Sequence, residues 1–197
     1  MIIIYVYNRN DYKDVVEVFK PMIREELVEV NLGNLFTDNI DRHSYILTPG
    51  NSFGVMDGGF DAVLKENIKC IEPKVRKKID MDYKGELPIG SAIEIDPGDD
   101  DPLVIYTSTM RIPGRIPYAS IAVYSAFREA LRLVDDVWNV NVFTPMFGTG
   151  YGSVSAKKAA TQMYMAIRTM KEPINRNNWE VIRRSQRIIE TGELITP

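Results

Sequence analysis

The sequence predicts an α/β fold in which one sheet carries helices on both faces. Three observations lead there. Strand-type and helix-type runs alternate along most of the 197 residues, the pattern of a sheet covered on two sides. Ile2–Tyr7 is an unbroken β-branched and aromatic run, which suits a strand buried on both faces. A hydrophobic share of 45% excludes wholesale disorder and fills the core of one domain, whose usual size is roughly 100–200 residues.

After that first strand, Asp11 stands where a helix cap belongs. Val15, Val16, Val18 and Phe19 supply apolar positions as far as Lys20, just before Pro21. Leu27–Leu32 is a second strand, broken by Gly33, and Tyr45–Thr48 a third, ending at Pro49–Gly50. The spacing of Phe60, Val63, Leu64 and Ile68 predicts a helix from Gly59 to Ile68, and Ile71–Ile79 a second with Pro73 near its start. Ser91–Ile95 and Leu103–Thr107 read as strands around the acidic turn Pro97–Pro102. A long amphipathic helix covers Pro117 to Val134, a strand Val137–Phe143, and a helix Val154–Met170 opened by Ser153 or Ser155. In the tail, Trp179, Ile182, Gln186 and Ile189 share one face of a helix over Asn178–Glu190. No repeat or linker divides residues 1–170, so the expected division is one domain over 1–172 and a helical extension over 173–197.

Composition removes several function classes. No apolar run approaches the roughly 18–20 residues that span a bilayer, and the first residues lack the basic stretch and cleavage site of a signal peptide. A single cysteine, Cys70, allows no internal disulfide and is expected in the core; with the one histidine, His43, it leaves few soft metal ligands. No carboxylate or histidine cluster has ligand spacing, so neither a metal nor a cofactor is expected. A reducing cytoplasm is the expected setting. A formal charge of −3 argues against extended nucleic-acid binding but not against a small phosphate-bearing ligand. The acidic span from Asp80 to Asp101 and the basic one from Lys157 to Arg187 read as solvated faces.

Two glycine-rich loops carry the chemistry. Thr48–Asp61 and Thr144–Ser153 each follow a strand and precede a helix. In open α/β sheets ligands bind beyond the carboxyl ends of the strands, and successive N–H groups at a helix start hold anions. Two such loops can grip two phosphates from opposite sides. There is no G-x-x-x-x-G-K-[S/T], so a P-loop is absent. Gly148-Thr149-Gly150-Tyr151-Gly152 is not G-x-G-x-x-G and lies far from the first βα unit, which argues against a dehydrogenase.

The pair of loops resembles the macro domain, the ADP-ribose-binding module. Val30–Leu35 stands where that family shows a G-D-I segment, Thr48–Asn51 for its N-A-x-N, and Gly58-Gly59-Phe60-Asp61 for its glycine-started helix. Phe147–Gly152 matches the later glycine loop and Ala156–Ala166 the alanine-rich helix after it. The resemblance covers residues 1 to 170 in order, and implies a three-layer α/β/α sandwich with a central mixed sheet. It also implies ADP-ribose, or a derivative of it, as the partner, with hydrolysis of ADP-ribose 1″-phosphate as the activity. A mono-ADP-ribosyl-protein hydrolase and a non-catalytic reader are the alternatives.

Site residues follow by the same resemblance. Asn34, with Leu35 beside it, replaces the family's adenine-contacting aspartate. Asn51 would bind the distal ribose hydroxyls and act with Asp61, which would orient or activate water; Asp57 is the second carboxylate. As an alternative to catalysis, Asp61 serves only the helix N-terminus. Gly50, Gly58 and Gly59 would allow close approach of the ligand. Phe147, Gly148, Thr149, Gly150 and Gly152 would hold the diphosphate through backbone N–H groups, and Tyr151 would lie against the distal ribose. No lysine lies between Gly50 and Leu64, which lowers the lysine-dependent chemistry of some branches. Arg111 and Arg115, with the turn Ile112–Gly114 between them, sit at the ligand end of the sheet.

Overall fold

A computed structural model describes residues 1–38, 40–98 and 101–194. Asp99 and Asp100, within the expected acidic turn, and the last three residues of the tail lie outside them. Six strands form one sheet: β1 (Ile2–Val6), β2 (Val28–Leu32), β3 (Tyr45–Asn51), β4 (Ala92–Ile95), β5 (Leu103–Met110) and β6 (Val142–Pro145). Their order is β2-β1-β6-β3-β5-β4, and every pairing is parallel except β4 with β5. The sheet is therefore mixed, with its antiparallel strand at one edge.

The helices are α1 (Arg9–Arg24), α2 (Gly59–Asn67), α3 (Ile71–Tyr83), α4 (Ala122–Leu133), α5 (Ala156–Lys171) and α6 (Trp179–Thr191). Alternation along β1 divides the interior. Ile2, Ile4 and Val6 pack with α1, α4 and α5, while Ile3 and Tyr5 pack with α2 and α3. The result is the expected three-layer α/β/α sandwich. Helix α6 rests outside it, Ile188 and Ile189 against Met165 of α5.

Several boundaries differ from the sequence reading. The cap of α1 is Asn8, whose Oδ1 accepts the Asn10 N–H at 3.0 Å, and Asp11 lies in the first turn. Pro21 falls inside α1, which runs on to Arg24. Strand β3 continues through Pro49 and Gly50 to Asn51, because β5 pairs with it throughout. Helix α3 runs one turn further, to Tyr83, and α4 starts at Ala122 rather than Pro117. The strand placed at Val137–Phe143 is β6 at Val142–Pro145, residues 137–140 forming a turn. Trp179 and Gln186 are exposed on α6, whose buried positions are Ser185, Ile188 and Ile189. Cys70 is not in the core. It is exposed, at a left-handed residue that opens α3.

Candidate functional site

Parallel strands β1, β6, β3 and β5 end on one side of the sheet, and there a cavity of about 480 Å³ opens between the two glycine loops. The end of β3 forms its floor. Here the β3–β5 register shifts, Gly50 pairing with Ser108 but Asn51 with Met110. Tyr106 closes the irregularity: its buried hydroxyl accepts the Asn51 N–H at 2.9 Å and donates to the Asn51 carbonyl at 3.0 Å. Its ring fills the space a side chain at Gly50 would need, since a Cβ there would lie 2.1–2.4 Å from it. Gly50 borders the cavity, yet it is the ring of Tyr106 that requires a glycine. Burial, then the charge of Asp61, hold the Tyr106 pKa well above its ordinary value, so the phenol stays neutral.

Asn51 is buried and folds the first loop. Its Oδ1 accepts N–H groups from Phe53 at 3.0 Å and Val55 at 3.4 Å, and its Nδ2 donates to the Val55 carbonyl at 2.8 Å. The amide expected to meet the distal ribose is thus engaged within its own turn, although the residue lines the cavity.

Ten residues on, Asp61 lies in the first turn of α2, only 6% exposed, and its Oδ1 accepts the Thr48 hydroxyl at 2.8 Å. Burial pushes its pKa up to about 7; the charges of Asp57 and Glu72 add to the rise and the Thr48 bond opposes it. A carboxyl poised near neutrality can take a proton from water and release it again, the property of a general base.

The second loop faces the first. The Tyr151 ring lies over Gly58, where a Cβ would come within 2.8–2.9 Å of it. Gly148 has φ +75°, and a Cβ there would meet Val123 of α4 at 2.6 Å, so this glycine serves packing. Gly150 is different: its φ is not positive and a Cβ would meet nothing within 4 Å. Within the loop, Ser153 N–H bonds to Gly150 O and Val154 N–H to Gly148 O, while Ile116 N–H takes Gly152 O. Among the described residues, no acceptor pairs with the N–H groups of Thr149, Gly150, Tyr151 or Gly152. Successive unpaired N–H groups in a glycine-rich turn are the kind of group that can line an anion-binding concavity. The helices behind both loops, α2 and α5, also start without a side-chain cap, which leaves their first N–H groups without that partner.

Of the expected ligand residues, the structure brings Gly50, Asn51, Gly58, Gly59, Asp61 and Gly148–Gly152 to the cavity, with Asp57. It does not bring Asn34, Leu35 or Phe147. The Asn34 Oδ1 caps a 3₁₀ turn by accepting the Phe36 N–H, and also accepts the Tyr7 hydroxyl. Leu35 and Phe147 are fully buried core, Phe147 edge-on to Phe127. Arg111 is engaged with Glu86 through two bonds of 2.8 and 3.0 Å, and Pro113 alone of its turn lines the cavity.

Tyr5, Tyr7 and Asp11 also line the cavity, and the sequence pointed to none of them as a site residue. Burial and the Asp38 carboxylate, which accepts its hydroxyl, push the Tyr5 pKa up to about 12. Tyr5 lies near the end of β1 and Tyr7 just beyond it; position at a strand end was the signal available for them.

Comparison with solved structures places this architecture. The macrodomain of Mycobacterium tuberculosis DarG superposes with a TM-score of 0.57 at 20% identity, over 70% of this chain and 88% of that one. The chain has the macrodomain fold. An Oceanobacillus iheyensis macrodomain variant carrying ADP-ribose superposes on this chain with a TM-score of 0.57 at 16% identity, over 79% of this chain and 90% of that one. Thermosipho africanus DarTG in complex with ADP-ribose gives 0.56 at 14% identity, over 86% of this chain and 50% of that one. In sequence, an uncharacterized protein of Aquifex aeolicus (strain VF5) is 34% identical over 128 residues, 62% of this chain and 72% of that protein. The two chains belong to one family. No protein-family model matches the chain.

Proposed function

We propose that the cavity binds ADP-ribose and that the protein hydrolyses ADP-ribose 1″-phosphate to ADP-ribose and phosphate. The observation that carries the first part is the row of four unpaired N–H groups at Thr149–Gly152, whose residues line the same cavity as the start of α2. That arrangement suits a diphosphate held without cationic side chains: among the described residues lining the cavity there is no Lys, Arg or His. An Oceanobacillus iheyensis macrodomain variant and Thermosipho africanus DarTG, both similar to this chain in fold, carry ADP-ribose, which supports the reading.

For the chemistry, Asp61 is the group with the right acidity. Its ionised form takes a proton from a water whose oxygen attacks phosphorus; the bond from phosphorus to the ribose oxygen breaks, and that oxygen leaves with a proton from solvent. Tyr106 and Thr48 hold the end of β3 and the carboxyl in place. Turnover then rises with pH as Asp61 ionises and levels off above about 7.

A second reading draws on the three aspartates at the cavity, Asp11, Asp57 and Asp61. They repel a phosphomonoester dianion but not an uncharged ester or glycoside, which favours removal of ADP-ribose from a protein side chain. Parallel assays of phosphate release from ADP-ribose 1″-phosphate and of ADP-ribose release from a mono-ADP-ribosylated protein separate the two. Turnover of neither substrate, with ADP-ribose still bound, would make the protein a reader.

A further inference from the structure

Lys158, Thr161 and Gln162 lie within about one turn of α5, all buried, and none lines the cavity. Their polar atoms reach two segments distant in sequence. Lys158 Nζ donates to the carbonyls of Tyr118 and Glu190 and sits 3.8 Å from the centre of the Tyr118 ring. Gln162 Nε2 donates to Ser120 O at 2.8 Å and to Ile189 O at 2.9 Å, while its Oε1 accepts the Tyr124 N–H at 3.0 Å. Thr161 Oγ1 lies 3.1 Å from Gly192 O.

One set of these acceptors is the C-terminal end of α6, whose last carbonyls have no partner within the helix. Gly192 closes that end at φ +75°, and a Cβ on it would come within 2.8 Å of Lys158. The other set, Tyr118 and Ser120, belongs to the segment between β5 and α4, which reaches the cavity twice. Pro113 lines it, and Ile116 donates its N–H to Gly152 O at 2.9 Å. The Ile116 side chain also abuts the loop, 2.8 Å from where a Cβ on Gly152 would stand. A chain of contacts therefore runs from α6, through one buried turn of α5, across the largely exposed segment 117–120, to Ile116 and the second glycine loop.

We infer that α6 is a strut: its docking on Lys158, Thr161 and Gln162 sets the 113–120 segment, and through Ile116 the loop at 148–152. Lys158 and Gln162 are then positioning residues for the cavity's ligand, although α6 never touches it. If α6 leaves, Lys158 and Gln162 each lose a carbonyl acceptor and the turn of α5 that carries them opens to water, so its hold on Tyr118 and Ser120 loosens at the same time. The ligand part of this inference rests on the diphosphate reading above; the mechanical part does not.

The test is amide hydrogen exchange and ADP-ribose calorimetry on the full chain and three variants. Lys158→Met keeps the aliphatic stem but loses both carbonyl bonds, Gln162→Met loses its two carbonyl bonds and the bond from the Tyr124 N–H, and Lys158→Arg keeps a donor. Exchange at Ile116, Ser120 and Val154 should quicken at least about tenfold in both methionine variants, with β1 and β5 unchanged. ADP-ribose affinity should fall about tenfold and recover to within about threefold in Lys158→Arg. Unchanged exchange at those amides, or acceleration spread evenly over the chain, would overturn the strut, as would quickened exchange with unaltered affinity. If the parent chain binds no ADP-ribose, the functional reading fails, and the regional exchange pattern alone decides the strut.

Discussion

Replacing Asp61 by asparagine should make the protein more stable at neutral pH and less active. The side chain is 6% exposed and keeps a neutral acceptor for the Thr48 hydroxyl after the change. In the folded chain its pKa stands at about 7, against an ordinary value of 3.8. At about 1.4 kcal/mol per unit, that difference of about 3 units is about 4 kcal/mol. The folded state holds this proton up to about pH 7 and the unfolded state gives it up near pH 4. Asp61's contribution is thus fully present below about pH 4 and is lost as pH rises through 7. Asparagine has no such proton. Urea denaturation of both proteins should show the variant gaining about 4 kcal/mol relative to the parent between about pH 4 and pH 8. Its turnover should fall by roughly 10²-fold or more, with ADP-ribose affinity within a few-fold. Parallel stability profiles across that range would refute the burial argument, and unchanged turnover the assignment of the base.

Three further substitutions separate packing from binding. Gly50→Ala drives a Cβ into the buried Tyr106 ring and should cost about 1–3 kcal/mol by chemical denaturation. Gly150→Val meets nothing in the fold, so its melting temperature should barely move while calorimetry shows at least about a tenfold loss of ADP-ribose affinity; Gly148→Val, against Val123, should lose stability as well. Asn51→Ala removes the bonds that fold the first loop, and should lower both stability, by about 1–3 kcal/mol in denaturation, and affinity in calorimetry.

The layered fold was legible because periodicity reports burial directly: Ile2–Val6, buried at every residue, could only be a central strand. The two loops that border the cavity were legible from glycine placement, whereas Asp61 came into view only through the macro-domain resemblance. What the sequence concealed depends on contacts between distant segments. Gly50 reads as a ligand glycine until Tyr106, on a different strand, is seen against it. Asn34 and Leu35 lie in the correct order for an adenine site, yet a local 3₁₀ turn uses the amide and the core takes the leucine. Pro21 looks like a helix end, but α1 runs past it. Lys158 sits in a basic run that reads as solvated, whereas the carbonyls of Tyr118 and Glu190 keep it inside.

The central claim is that the four unpaired N–H groups of the second loop, opposed by α2, hold a diphosphate. Titration calorimetry of the unmodified chain with ADP-ribose and, separately, AMP tests it most directly. ADP-ribose should bind in the micromolar range, about −8 kcal/mol, and AMP, lacking the second phosphate and distal ribose, at least about tenfold more weakly. Equal affinity for the two, or no heat from either, would contradict it.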